Sequence, residues 1–152
     1  MFGSTCESNV VCAMTEREPP PIPSTSGDVE LWLRLDAAEV RSGDLVRGTL
    51  VVHNTAAASV VLTGSPIRAA TVLAEDGAVV GRFAGWRTAQ GMHRVVDPDR
   101  IVYLSVLGGT ASATGSTVPG RYWVVASLEV ARLDGSNARR LLSRAVPLRV
   151  TD

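Results

Sequence analysis

The feature that most constrains this chain is an alternation of apolar and polar residues with a period of two, which begins at Val29 and recurs almost to the last residue. This period is the signature of a β-strand that buries one face. The stretch VELWLRLD opens the series, and its apolar side carries Val29, Leu31, Leu33 and Leu35. No stretch from 29 to 152 shows a sustained helical period, so the sequence predicts an all-β fold.

Further segments with this pattern are separated by short turn signals. They are LVRGTLVVHN (45–54), SVVLTG (59–64), AATVLAEDGAVVGRF (69–83), RIVYLSVL (100–107), YWVVASLEV (122–130) and LLSRAVPLRV (141–150). The third is typical of a hairpin that turns at 75–77. Pro147 lacks an N–H group and predicts that the last strand lies at a sheet edge. Seven or eight mostly antiparallel strands favour a sandwich, with a small closed barrel as the alternative.

Residues 1–28 differ from the remainder, so we divide the chain into a leader (1–28) and one β domain (29–152). The prolines at 19, 20, 21 and 23, followed by Ser, Thr, Ser and Gly, predict a disordered linker with polyproline character. Cys6 and Cys12 both lie in the leader, where we expect them to be unpaired, with a redox or metal role as the alternative. Met14 is an alternative start, which would remove both cysteines.

Composition excludes several classes of protein. The formal net charge is zero, with 15 basic and 15 acidic residues, so no positive surplus is available for nucleic acid. All the basic side chains except His are arginine, which indicates the GC-rich codons of a bacterial genome. No apolar run reaches the roughly 20 residues that cross a bilayer, and no signal peptide is visible. We therefore expect a cytoplasmic monomer or weak oligomer without membrane insertion. A different gene start leaves the cell surface or secretion open.

The stretch VPGRYWVVASL resembles the sixth strand of immunoglobulin-like sandwiches, where a Tyr follows a Pro-Gly corner. The resemblance implies that the Tyr122 hydroxyl bonds back to a nearby backbone group. More narrowly, SGDLVRGTLVVHNT, VVLTGS, AEDGAVV and VPGRYWVVASL together resemble the BsuPI-type family of intracellular proteinase inhibitors. This likeness implies an immunoglobulin-like sandwich and an inhibitory function. The antibody-type cysteine pair is missing from the domain.

Catalysis or metal binding would need several chemical groups within mutual reach. The candidates are His53, His93 and the carboxylates of Asp97 and Asp99, but no ligand-like spacing joins them. Asp97-Pro98-Asp99 is typical of a turn before a strand. The segment DGSN (134–137) imitates part of a calcium loop without its remaining ligands, which favours a hairpin turn. We therefore expect no enzyme activity, no cofactor and no metal.

Two loops are the candidate binding elements: FAGWRTAQGMHR (83–94) and GGTASATGSTVPG (108–120). Trp, Met and Arg are enriched at protein interfaces. Trp123 belongs with these candidates because it lies opposite the apolar side of its strand, as Trp32 does. The predicted protein-binding residues are Phe83, Trp86, Arg87, Met92, His93 and Trp123. The alternatives are that Phe83 and Trp86 cap the core, and that loop 108–120 is a mobile connection.

Three functions follow, in order of preference. The first is a non-enzymatic protein-interaction module that binds an unidentified protein through its loops, with proteinase inhibition as its specific form. The second is a structural or accessory domain attached to a surface through the Pro-rich leader. The third is an enzyme or metal protein that uses His53, His93 and Asp97.

Overall fold

The computed structural model describes residues 28–82, 91–112 and 115–152. Within these residues there are thirteen strands and no helix, which confirms the all-β prediction. The strands are β1 (Val29–Leu35), β2 (Glu39–Arg41), β3 (Leu45–Asn54), β4 (Val60–Gly64), β5 (Ile67–Leu73), β6 (Val79–Arg82), β7 (Met92–Val96), β8 (Ile101–Gly109), β9 (Ala111–Ser112), β10 (Gly115–Ser116), β11 (Gly120–Arg132), β12 (Arg139–Leu142) and β13 (Val146–Thr151).

Eleven of these strands form one continuous sheet. Its main order is β1-β3-β8-β5-β11-β13-β2, and β9 and β10 form a separate small ribbon. Most pairs are antiparallel, as predicted, but β5 pairs with β8 and β2 pairs with β13 in parallel. The predicted total of seven or eight strands is wrong for the described residues, because the chain makes several strands of only two to four residues that carry no visible alternation.

The long strand β11 explains how one sheet encloses a core. Its first half pairs with β5 on one side and β13 on the other. Its second half, from Ser127 to Arg132, exchanges these neighbours for β4 and β12. The sheet therefore curls into a half-barrel around the side chains that point inward.

The core consists of the apolar stripes that the sequence predicts. Val29, Leu31 and Leu33 of β1 are buried, and Leu35 is half-buried against them. The inward stripes of the two longest strands are also buried: Val46, Leu50 and Val52 in β3, and Val124, Ala126, Leu128 and Val130 in β11. The alternation therefore assigns the inward face of these strands correctly.

Pro147 does not mark an outer strand, contrary to the prediction. Strand β13 lies between β11 and β2, so it has neighbours on both sides. Strand β2, however, pairs only with residues from Arg149 onwards. Pro147 precedes the part of β13 that pairs with β2, so its missing N–H group interrupts no hydrogen bond between these two strands.

A buried arginine fastens the corner between β4 and β5. The Arg68 side chain, 7% exposed, donates to the carbonyls of Ser65 and Ser127 at 3.0 Å each and to Glu129 Oε1 at 3.1 Å. Gly64, at φ +102°, leaves room for this guanidinium, since a Cβ there would lie 2.5 Å from Arg68 Nη1. Charge burial is tolerable here because the three guanidinium nitrogens all have acceptors.

Tyr122 makes the contact that the resemblance implies. Its hydroxyl donates to the carbonyl of Val118, four residues earlier, at 2.5 Å. The bond closes the corner formed by Pro119 and Gly120 as the chain enters β11. Such a bond back to the preceding corner fixes the angle at which the strand enters the sheet.

Candidate functional site

The predicted binding segment 83–94 is only partly described. Phe83, Trp86 and Arg87 lie outside the described residues, so their predicted roles stay predictions. Met92 and His93 belong to β7, which corrects their assignment to a loop. Met92 is half-buried and packs on the core, whereas His93 is exposed opposite Thr63 of β4.

Segment 108–120 is hydrogen-bonded to its surroundings at Thr110 and Thr117, on either side of residues 113–114, which lie outside the described residues. Thr110 is completely buried, and its hydroxyl donates to the Asp44 carbonyl at 2.7 Å and accepts from the Gly43 N–H at 2.8 Å. The N–H of Thr117 in turn donates to the Thr110 carbonyl at 2.7 Å. The segment is therefore fastened to the turn between β2 and β3.

Trp123 lies opposite Val124, as the sequence predicts, but the expectation that it faces outward is wrong. The side chain is only 4% exposed. Residues 123–126 of β11 are all buried, so both faces of the strand are covered at this point. The indole is therefore enclosed and is unavailable to a partner in this conformation.

The outer side of β1, β3 and β8 is different. The register places Trp32 beside Val51, and Val51 beside Tyr103, in one row across three strands. The neighbouring row consists of Glu30, His53 and Ile101. Directly opposite side chains on one face lie about 5 Å apart, so each row is about 10 Å wide.

These side chains form an exposed apolar surface. Trp32 is 47% exposed, Ile101 is 47% exposed and Tyr103 is 60% exposed, with Val51 half-buried between the two aromatic rings. We call Trp32, Val51, His53, Ile101 and Tyr103 the aromatic face. Large apolar side chains grouped on a surface, in contrast to single ones, indicate a contact site.

His53 connects the aromatic face to an acidic end. Its ring stacks on Trp32 with 6.4 Å between ring centroids and 23° between planes. His53 Nε2 lies 3.0 Å from Asp99 Oδ1, and Nδ1 lies 3.6 Å from Glu30 Oε1. These contacts hold the imidazole against the indole and place two carboxylates at this end of the face.

Asp99 reaches His53 because a buried asparagine shapes the loop before β8. Asn54 donates from Nδ2 to the carbonyls of Ala58 and Val96, both at 2.9 Å, and its Oδ1 accepts from the Ala56 N–H at 2.9 Å. The Asn54 carbonyl accepts from the Asp99 N–H at 2.8 Å. Asp99 has a φ of 63°, which the turn requires.

The third hypothesis, an enzyme or metal site, needed His53, His93 and Asp97 together. His53 contacts Asp99 and Glu30, while Asp97 accepts a hydrogen bond from the Ser59 hydroxyl at 2.7 Å. No contact joins the three in the part of the chain that the structure describes. Among those residues there is also no group of three or more His, Cys, Asp or Glu side chains arranged to hold a metal ion.

The turn at 133–138 is a hairpin turn, as predicted. The Arg132 N–H donates to the Ser136 carbonyl at 2.9 Å, and both the hydroxyl and the N–H of Ser136 donate to Asp134 Oδ1. The hydroxyl bond from Ser136, followed by the backbone bond, lowers the pKa of Asp134 from its usual value. The Asp134 carboxylate therefore accepts hydrogen bonds from within its own turn.

Sequence reasoning missed Val51, Ile101 and Tyr103 as candidates. A signal was present, since RIVYLSVL alternates and places Ile101 and Tyr103 opposite the buried Val102 and Leu104. This alternation does not by itself reveal the site, because only the strand register brings residues 32, 51 and 103 into one row.

Within the described ranges, no helix is long and apolar enough to cross a membrane.

Comparisons with known proteins give no family assignment. No family model matches the chain, and no curated protein matches it.

Solved structures match the chain at low identity and with low TM-scores. A Pseudomonas fluorescens alkylpurine DNA glycosylase, AlkC, has 14% identity and a TM-score of 0.45 over 82% of this chain and 31% of its own. A PapD-like domain of human CEP192 has 14% identity and a TM-score of 0.39 over 88% and 90%. Spo0M, a sporulation control protein from Bacillus subtilis, has 11% identity and a TM-score of 0.41 over 83% and 50%. This chain thus spans about a third of the glycosylase and half of Spo0M.

Proposed function

We propose that the protein is a non-enzymatic protein-interaction module that binds its partner through the aromatic face. The observation that carries the proposal is the row Trp32–Val51–Tyr103, which leaves two aromatic rings about half exposed on one side of a three-stranded surface. Trp and Tyr dominate the binding energy of protein interfaces because they bury a large area at a low cost in entropy.

The surroundings of the aromatic face support a protein as the partner. Glu30 and Asp99 lie at one end, and the exposed Arg34 and Arg47 lie towards the other. An apolar centre with charged residues around it is the usual anatomy of a protein interface. The rigid backbone of β1, β3 and β8 would hold the two rings in place before binding, which reduces the entropy lost on association.

The proposal replaces loops by a sheet face as the binding element. Trp123 is enclosed, so it does not support binding on its side of the sheet. His93 remains exposed on β7, beside the segment 83–90 that lies outside the described residues.

The test is affinity capture from the native organism with matched variants. The wild type, the double variant Trp32→Ser/Tyr103→Ser and the control Val79→Ser/Leu133→Ser would serve as baits, since Val79 and Leu133 are exposed elsewhere. A protein retained by the wild type and the control but lost with the double variant would then be purified. Titration should show that it binds the double variant at least ~100-fold more weakly, the effect of losing two aromatic anchors. Equal binding to all three baits would refute the aromatic face as the site.

We further propose an immunoglobulin-like arrangement with proteinase inhibition as the specific form of the function. The Tyr122–Val118 bond and the transfer of the chain from β1 to β2, beside the last strand, support the arrangement. The inhibitory activity is supported by the sequence resemblance alone. Steady-state assays against serine, cysteine and metalloproteinases test it directly, and full protease activity at a large excess of this protein would exclude inhibition of those classes.

A further inference from the structure

We propose that the aromatic face binds the aromatic face of a second copy of this chain, in a twofold dimer. The proposal rests on the proposed function, because it takes this face as a protein-binding surface and names the protein that occupies it. Two features of the described residues support a second copy as the occupant: the exposed aromatic row, and the opposite charges that lie at equal distances on either side of it.

Strand β1 carries the charges that make the face complementary to itself. Glu30, Trp32 and Arg34 follow one another at every second position along the outer side of β1. Residues two apart on one side of a strand are separated by about 6–7 Å. Glu30 and Arg34 therefore lie equally far from Trp32 in opposite directions. Both can meet a partner, since the Glu30 side chain is 41% exposed and Arg34 is exposed.

A twofold axis along the row Trp32–Val51–Tyr103 uses this symmetry. The axis turns the strand direction of the second copy around, so that each residue of the row meets the same residue of the other copy. Glu30 then lies opposite the partner's Arg34, and Arg34 lies opposite the partner's Glu30. One favourable ion pair is thus formed twice, as in any interface in which both copies use the same surface. Between the two pairs, sheets about 10 Å apart let the rings of both copies interdigitate.

Charge order excludes the other twofold arrangement of the two faces. An axis parallel to the strands would keep the acidic end of one copy over the acidic end of the other. Glu30 would then lie over the partner's Asp99, and Arg47 of the middle strand would lie over the partner's Arg47. Like charges repel at these positions. The charges therefore favour the arrangement in which the strands of the two copies run in opposite directions.

Arg34 is available for an ion pair between copies. It makes no side-chain hydrogen bond or ion pair with any residue that the structure describes. The whole chain has a formal net charge of zero, so two copies do not repel each other at long range. The contact is small, because three strands are about 14 Å wide and seven residues of a strand are about 23 Å long. Interfaces of this size are weak, so we expect a dissociation constant of about 10–100 μM.

The experiment measures self-association of the purified, full-length chain by sedimentation velocity, from about 5 μM to about 1 mM, a range that brackets this constant. We expect the wild type to change from monomer to dimer over this range. Trp32→Ser removes an aromatic anchor from both sides of the dimer and should raise the dissociation constant at least ~100-fold. The control Leu133→Ser changes a residue that is 61% exposed in the turn between β11 and β12, and it should leave the dissociation constant unchanged.

A charge exchange tests the arrangement without removing an aromatic ring. Glu30→Arg and Arg34→Glu, each alone, place like charges opposite each other twice and should raise the dissociation constant at least ~10-fold. An equimolar mixture of these two variants should associate as tightly as the wild type, because one then supplies two arginines and the other two glutamates. Glu39→Arg, on the exposed side of β2, is the matched control and should have no effect.

A chain that remains monomeric at the highest concentration would overturn the proposal. A dimer that ignores the charge variants, or whose mixed variants fail to associate, would show that the copies meet through another surface or in another orientation, which also contradicts it. These measurements contain only the purified chain. The capture experiment with the native organism is therefore independent, and a monomeric chain can still bind a different protein through the aromatic face.

Discussion

Trp32 and Trp123 occupy equivalent places in their strands but differ in their exposure to solvent. Each lies on the side of its strand opposite a stripe of core residues, yet Trp32 is half exposed and Trp123 is enclosed. From Trp123 to Ala126 every residue of β11 is buried, so both faces of that strand are covered there, whereas only the inner face of β1 is buried. The surroundings of a strand in the complete fold, and not its alternation, therefore decide whether its second face meets solvent.

The same contrast extends to other residue types. The half-barrel contains an enclosed Arg68 and an exposed Arg34, and a bonded Tyr122 and an exposed Tyr103. Each pair allows one substitution to be made twice, once at a packed or hydrogen-bonded position and once at an exposed position. The expected differences in unfolding free energy decrease from tryptophan to arginine to tyrosine.

The tryptophan pair should give the largest difference. Trp123→Ala removes an enclosed indole between Leu73 and Pro147 and should lower the free energy of unfolding by about 3–5 kcal/mol. Trp32→Ala should cost less, about 1–2 kcal/mol, because about half of the indole surface is already in water. Urea denaturation followed by circular dichroism measures both, and equal losses would remove the basis of the comparison.

The arginine pair should differ by a smaller amount. Arg68→Met leaves two carbonyls and Glu129 without their donor, so we expect a loss of about 2–3 kcal/mol. The loss is smaller than for a fully buried ion pair, because Glu129 is 40% exposed and water can solvate its carboxylate when the arginine is removed. Arg34→Met should change the unfolding free energy by no more than about 0.5 kcal/mol. Thermal unfolding of the two variants side by side would reveal whether Arg68 fastens the corner as described.

The tyrosine pair isolates one hydrogen bond. Tyr122→Phe deletes the hydroxyl that donates to Val118 and should cost about 1 kcal/mol, the net value of such a bond. Tyr103→Phe removes a hydroxyl from a ring that is 60% exposed, and it should leave stability within about 0.5 kcal/mol of the wild type. If both variants unfolded at the same urea concentration, the corner bond would contribute nothing to stability.

The smallest effect on stability is expected at Asp134, which lies in a turn outside the three pairs compared above. The Ser136 hydroxyl lowers the pKa of Asp134, so the ionised form stabilises the turn above the unfolded-state pKa. That contribution disappears as the pH falls through the lowered folded-state pKa. In Ser136→Ala, the carboxyl ¹³C titration of Asp134 should move to higher pH. An unchanged titration would show that the hydroxyl bond does not control this carboxylate.

Local pattern was sufficient to predict most long strands, and it failed where the structure depends on distant neighbours. LVRGTLVVHN predicts β3 because its alternation spans the whole strand. MHRVV gives no such signal, because three consecutive residues of β7 are exposed on an outer strand that pairs with β4 alone among the described strands.

The candidate site was harder to predict than the fold for the same reason. Trp32 was recognised as an outward residue, but Tyr103 lies 71 positions away and becomes its near neighbour only when β1, β3 and β8 pair in register. Conversely, Trp123 was misjudged because the sequence of β11 does not reveal that both faces of this strand are covered from 123 to 126. Register and strand order are set by the whole core, and no single segment contains them.

The parallel pair of β2 and β13 has a consequence for how the protein is made. Strand β2, at Glu39–Arg41, pairs with Arg149–Thr151 of β13. The Thr151 hydroxyl also donates to the Val40 carbonyl, which is 111 residues away in sequence. During translation, β2 therefore leaves the ribosome long before its partner has been synthesised. Until that partner arrives, both β2 and the β13 side of β11 expose unpaired backbone groups. Contacts this distant slow folding and prolong the interval in which a nascent chain can aggregate. Synthesis rate and chaperone supply should thus affect the yield of this protein more than that of a domain built from local hairpins.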